Sequence, residues 1–208
     1  KLLAKDSLEN NGRINRVIKG SNSQIWIADH EYGLSVVDTE NNSRRRLNTD
    51  HGLISDMVFS MAKDHNDNIW AATDIGVDLI DLENLELTTF TTVEGLGSND
   101  VYDVVDHNDQ IYLGTSKGLT ILQPLVGADK SDIIWKSKTL SKHQGLDYFD
   151  FAQNSFGIDS KGRLWTGTGG GAGIENLVVM EEMSQDTTRF SSQITGISIL
   201  DKKQSYTD

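Results

Sequence analysis

Four short apolar segments, each centred on an aromatic residue, recur along this chain in one order and at nearly one period. They are Ile25-Trp26-Ile27-Ala28, Ile69-Trp70-Ala71-Ala72, Ile111-Tyr112-Leu113-Gly114 and Leu164-Trp165-Thr166-Gly167, with aromatics 44, 42 and 53 residues apart. Each leads to a turn closing on glycine, at Gly33, Gly76, Gly118 and Gly173, and then to a second apolar run at 34–37, 77–80, 119–122 and, more weakly, 174–177. A Gly-Leu pair precedes three of the aromatics, at Gly52-Leu53, Gly95-Leu96 and Gly145-Leu146. Repeats of this length mark units that stack on their neighbours.

The pieces within a unit are short and β-rich, and no helical period runs through any of them. In the second unit the pattern predicts strands at about 57–63, 69–73, 77–81 and 87–92. Asp64-His65-Asn66-Asp67-Asn68 and Asp74-Ile75-Gly76 form turns, because Asn, Asp and Gly tolerate left-handed backbone geometry. A four-stranded sheet of this kind has two apolar faces and cannot bury both alone, so adjacent units must lie face to face. The fold class is therefore all-β: β-propeller blades of four antiparallel strands, about 3.7 of them. Blades fall at about 8–52, 53–95, 96–145 and 146–180. Residues 1–7 take the position of the last strand of a preceding blade, and 181–208 follow the last one. The chain begins at Lys1 and reads as a piece of a longer polypeptide. Trp26, Trp70, Tyr112 and Trp165 occupy one repeat position, which predicts packing between blades.

Composition removes several function classes. There is no cysteine, so thiol catalysis, disulfides and zinc–thiolate clusters are excluded. A net charge of -12 disfavours nucleic acid and acidic membrane surfaces, which bind concentrated Lys and Arg. The basic run Arg44-Arg45-Arg46 lies between acidic segments and reads as a solvated hairpin edge.

The recurring string runs Asp67-Asn68-Ile69-Trp70-Ala71-Ala72-Thr73-Asp74-Ile75-Gly76-Val77, then Asp109-Gln110-Ile111-Tyr112-Leu113-Gly114-Thr115-Ser116-Lys117-Gly118-Leu119, then Lys161-Gly162-Arg163-Leu164-Trp165-Thr166-Gly167-Thr168. It resembles the two-component regulator propeller repeat, found in periplasmic sensor regions of membrane-bound bacterial signalling proteins. The first copy departs, with Ala28-Asp29 where Gly-Thr is usual. Gly145-Leu146-Asp147-Tyr148-Phe149-Asp150-Phe151, followed by a longer first strand, is similar to the family's final blade. The resemblance implies an incomplete ring, with 181–208 a linker and the first strand of a following β-sandwich at 194–200. The resemblance implies an extracytoplasmic, periplasmic sensor segment that binds a small ligand, an oligosaccharide among the candidates, or mediates dimer contacts through exposed blade faces. Its full-length protein would be membrane-anchored.

No residue pattern points to catalysis. Gly167–Gly173 lacks the Gly-Lys-Ser/Thr ending of a phosphate loop and reads as a flexible turn. His65 and His107 hold equivalent turn positions and read as surface repeats. Asp64, Asp67, Asp106 and Asp109 read as turn caps, since their spacing is not that of a calcium loop. No catalytic residue, metal ligand or cofactor is assigned, and the chain reads as a non-enzyme. A propeller lyase or lactonase, or a pure protein-interaction scaffold, is the alternative. Ligand-binding candidates are the irregular loop residues: His30, Glu31 and Tyr32 in the longest second-to-third-strand turn, and Asp147, Tyr148 and Asp150 before the last unit. Aromatics beside carboxylates suit the C–H faces and hydroxyls of sugars.

Overall fold

The computed structural model describes residues 12–82, 86–126, 133–141, 150–170, 174–182 and 194–200. The chain forms four antiparallel sheets of four strands each, every one in sequential order. The first holds β1 (Ile14–Lys19), β2 (Gln24–Asp29), β3 (Gly33–Asp38) and β4 (Arg44–Leu47). The second holds β5 (Val58–Lys63), β6 (Ile69–Thr73), β7 (Val77–Ile80) and β8 (Leu87–Phe90). The third holds β9 (Val101–His107), β10 (Gln110–Thr115), β11 (Gly118–Val126) and β12 (Ile133–Leu140), and the fourth β13 (Gly157–Ile158), β14 (Leu164–Gly170), β15 (Ile174–Glu182) and β16 (Ile194–Leu200). Among the described residues, one 3-10 turn, Thr49–His51, lies between the strands. No described helix is long and apolar enough to cross a membrane.

The motif residues explain the turns. Thr73 and Thr115, which end the aromatic strands, donate their hydroxyls to Gly76 O and Gly118 O at 2.8 and 2.7 Å and close the hairpins. At Gly118 the backbone is left-handed (φ +121°), and a Cβ there would stand 2.2 Å from Leu140 O on the neighbouring outer strand. Gly95 (φ +100°) would drive a Cβ to 2.1 Å from Ser137 Oγ, which accounts for glycine in the Gly-Leu pair. The leucines that follow, Leu53 and Leu96, are buried between sheets.

Three apolar clusters fill the three interfaces between consecutive sheets. Trp26, Ala28, Leu34 and Val36 meet Val58, Met61, Ile69 and Ala71 between the first and second sheets. Trp70, Val77 and Phe90 meet Val104, Ile111 and Leu113 between the second and third. Tyr112, Leu119, Ile121 and Leu140 meet Phe151 and Leu164 between the third and fourth. First strands lie beside first strands, β1 against β5 and β5 against β9, so the sheets stack radially as blades of an incomplete propeller ring. Trp26, Trp70 and Tyr112 are buried at these interfaces, whereas Trp165, in the last sheet, is half-buried under the Arg163 guanidinium at 5.2 Å.

The structure corrects four expectations. Residues 194–200 pair with β15 as the outer strand of the fourth sheet, instead of opening a following sandwich. The fourth blade thus reaches beyond residue 180, because the open edge of β15 takes up the next strand available. Its first strand is short, with two paired residues in β13 and one bridge between Phe151 and Thr168. Gly167 to Gly170 belong to β14 and are not a turn. His107 is buried at 8% exposure, edge-on to the Tyr112 ring at 5.9 Å, because it closes a two-residue hairpin that leaves it on the inner face. Residues 1–7 and 145–149 lie outside the described residues.

Candidate functional site

The inner strands of the first three sheets share an irregularity. Ladder pairing skips one residue between Ile14 and Arg16, between Val58 and Ser60, and between Val101 and Asp103. The residues left over are Asn15, Phe59 and Tyr102, each a bulge at one repeat position. A bulge turns its side chain out of the alternating pattern, and bulges recur beside functional sites for that reason. In the fourth sheet the irregularity grows. From Phe151 to Gly157 the inner strand advances six residues while its partner moves three, from Thr168 to Trp165, so three extra residues loop inward.

These four irregularities meet at the end of the blades where the loops entering each first strand emerge. Asn154, in the fourth sheet's loop, donates its Nδ2 to Asn15 O at 3.2 Å and to Phe59 O at 3.0 Å, joining three sheets at one residue. Asn15 donates its own Nδ2 to Val58 O at 2.7 Å and stands 3.2 Å from His30 Nδ1. His30, Phe59 and Tyr102 form a row of rings across three sheets, with centroids 5.8 and 5.7 Å apart. Both asparagine amides are oriented by these carbonyls, to which only the Nδ2 end can donate, and this turns Asn15 Oδ1 and Asn154 Oδ1 the other way. Both oxygens are buried and lack a donor. An unmet buried acceptor costs about 1–3 kcal/mol.

Next to the bulges lies a buried carboxylate. Asp103 is 1% exposed and accepts from Ser60 Oγ at 2.7 Å, Val104 N at 2.9 Å and Phe156 N at 2.6 Å. Burial pushes its pKa up, and these three bonds and the positive charge of Arg16 oppose the rise. Burial and the charges of Asp100 and Asp150 likewise push the Tyr102 phenol up.

Of the sequence candidates, His30 lies in this site, and Asp150 is exposed at its border, close enough for its charge to act on Tyr102. Glu31 is exposed and holds its amide on Asp29 Oδ1 at 3.1 Å. Tyr32 is turned toward the outer strand, beneath the Arg46 guanidinium at 5.4 Å. Asp147 and Tyr148 lie outside the described residues. Sequence reasoning missed Asn15, Phe59, Tyr102, Asp103 and Asn154. A signal was present: Val58-Phe59 and Val101-Tyr102 put two large apolar residues in succession 43 residues apart, which breaks strict alternation at one repeat position. Among the described residues, no group of three or more His, Asp or Glu stands together as a metal centre.

Comparison with known proteins agrees with the blade architecture. Residues 52–74 match the family model described as "Two component regulator propeller". No curated protein matches the chain. Among solved structures, the extracellular domain assigned to a hybrid two-component system of B. thetaiotaomicron is similar at 20% identity and TM-score 0.65, over 86% of this chain and 23% of that one. The extracellular domain assigned to a one-component system of the same organism follows at 22% identity and TM-score 0.60, over 86% and 22%. PorZ, a surface component of the type-IX secretion system of Porphyromonas gingivalis, shares 14% identity with TM-score 0.56, over 91% and 23%. At these identities the likeness is one of fold, and the chain spans about a quarter of the length of each. Residues 52–74 thus match the two-component regulator propeller repeat, in a chain whose sheets share the propeller fold.

Proposed function

We propose that the chain is an extracytoplasmic sensor segment of a bacterial two-component or related membrane signalling protein. Its ligand site is the inner cluster of Asn15, His30, Phe59, Tyr102 and Asn154. The observation that carries this reading is the convergence of four strand irregularities, one per sheet, on two buried amide oxygens that lack donors. Repeats built only for packing have no need of a bulge at the same inner position in three successive blades. Carbonyl acceptors beside aromatic edges suit a neutral ligand rich in hydroxyl donors, so an oligosaccharide is the class to try first. The repeat family and the extracytoplasmic setting of two structural relatives support the sensor role. On this reading the chain acts as a binding module.

The test is isothermal titration of the chain against a panel of neutral oligosaccharides, repeated with Asn154→Ala and Tyr102→Phe. Binding that weakens at least tenfold in Asn154→Ala supports the reading. A panel with no binder, or binding that both substitutions leave unchanged, contradicts it.

A second reading concerns assembly. The first sheet has one face on the second sheet, while its other face carries Val17 at 55% exposure with Ile25 and Ile27 half-buried beside it. An apolar blade face open to water favours association. A dimer through this face is the expectation, and Val17→Glu should shift sedimentation toward monomer. A parent chain that sediments as monomer at every concentration rules it out.

A further inference from the structure

The loop that brings Asn154 into the site has an uneven set of attachments. At one end Ala152 N donates to Gly167 O at 3.1 Å, and Ser155 Oγ bonds Ala152 O and Gly167 O at 2.9 and 3.2 Å, all within the fourth sheet. Phe151 and Phe156 flank the loop and pack on the apolar cluster shared with the third sheet. Toward the first and second sheets it makes hydrogen bonds: the two from Asn154, and a long one of 3.5 Å from Arg13 to Gln153. A segment anchored by apolar groups at its ends and by hydrogen bonds between them opens at a lower free energy than the core.

We propose that residues 152–156 form a strap over the inner site and that Asp103 is its latch. The proposal rests on the reading that this site binds a ligand, and it names what controls entry. Asn15 Oδ1 and Asn154 Oδ1 are enclosed, so a ligand reaches them only when the strap lifts. Lifting frees the Asn15 and Phe59 carbonyls and the Asn154 amide together, and these are the groups a hydroxyl-bearing ligand would engage. A ligand that satisfies them favours the lifted state, which is the differential affinity a sensor requires.

Asp103 has the position of a latch. Its carboxylate takes Ser60 of the second sheet on one oxygen and Phe156 N, at the end of the strap, on the other. Bonds to an ionised acceptor are the stronger kind. Arg16, the charged residue acting on it from the first sheet, favours the ionised form. Asparagine at 103 keeps the shape but turns a donor toward one of the donors that now face the carboxylate.

Hydrogen exchange read by mass spectrometry on the ligand-free chain tests this. In Asp103→Asn, peptides covering 152–156 are expected to exchange about ten- to a hundred-fold faster, as loss of a charged hydrogen bond implies. Peptides from β6 and β10 keep their rates. Asn154→Ala should also speed strap exchange, and Ser60→Ala should do so by a smaller factor. Unchanged strap rates in a folded Asp103→Asn variant overturn the proposal. So does an equal acceleration in β6 and β10, which would make Asp103 a residue of the global fold. If Asp103→Asn does not fold, Asn154→Ala and Ser60→Ala decide by the same criteria. No ligand enters the experiment, so failure to find an oligosaccharide leaves its outcome intact.

Discussion

Trp70 and Trp165 occupy the same repeat position and make the same bond, from indole Nε1 to a turn carboxylate: Asp64 at 3.0 Å and Asp159 at 2.9 Å. They differ in what covers them. Trp70 is 0% exposed, stacked on Phe90 at 5.5 Å and edge-on to Trp135 of the third sheet at 5.0 Å. Trp165 is half-buried in the last sheet. Truncating a fully buried aromatic costs about 3–5 kcal/mol. Truncating one that already keeps part of its surface in water costs roughly 1–2 kcal/mol, from the smaller apolar area lost. The gap of about 2 kcal/mol between Trp70→Ala and Trp165→Ala is then the share contributed by a neighbouring blade. Urea unfolding followed by circular dichroism reads it directly. With a slope of about 2 kcal/mol per molar, the midpoint should fall by about 1.5–2.5 M for Trp70→Ala and by roughly 0.5–1 M for Trp165→Ala. Equal shifts would refute the reasoning, since the repeat position alone would then set the cost.

Three further outcomes follow from particular contacts. Burial pushes Asp103 and Asp78 up, so the folded protein takes up their protons first as pH falls. Their contribution to stability is full below the usual carboxylate pKa of about 4 and is lost as pH rises through the folded values. The stability of the parent chain relative to Asp103→Asn should accordingly fall as pH rises above the usual carboxylate value of about 4, and a pH-independent difference in urea midpoints would contradict this. Gly118→Ala should destabilise by about 1–3 kcal/mol through strain and collision with Leu140 O. Gly157→Ala, with nothing within 4 Å of the added carbon, should be close to neutral, and thermal melts of the pair would expose an error in either. Tyr32→Ala should leave any oligosaccharide affinity unchanged, because Tyr32 lies on Arg46 and not in the row of rings, and titration would show a loss if that placement were wrong.

Blade architecture was legible in the sequence because it is written at one period. The strand expected at 69–73 is β6 residue for residue, and the turn at Asp74-Ile75-Gly76 falls where Thr73 closes the hairpin. The site was less legible. The sequence pointed to irregular loops, and of the residues named there His30 lies against Asn15 and Phe59. Tyr32, in the same loop, is turned toward Arg46 on β4. The bulges at Asn15, Phe59 and Tyr102 are single-residue insertions within the repeat, and two of them leave a faint trace, the successive large apolar residues Val58-Phe59 and Val101-Tyr102. Asn154 reaches residues 139 and 95 positions away, and no local pattern announces such contacts. The outer strand at 194–200 was misread because it follows a longer connection than in the earlier blades.

The account depends on Asn154 of the fourth sheet meeting the inner strands of the first and second, with the Phe59–Tyr102 contact bringing in the third. Nuclear Overhauser contacts in the isotope-labelled chain test that directly. The account predicts contacts between the Phe59 and Tyr102 rings, and from the Asn154 side-chain amide to protons of both Asn15 and Phe59. Contacts confined within single sheets, with none linking Asn154 to Asn15 or Phe59, would contradict it.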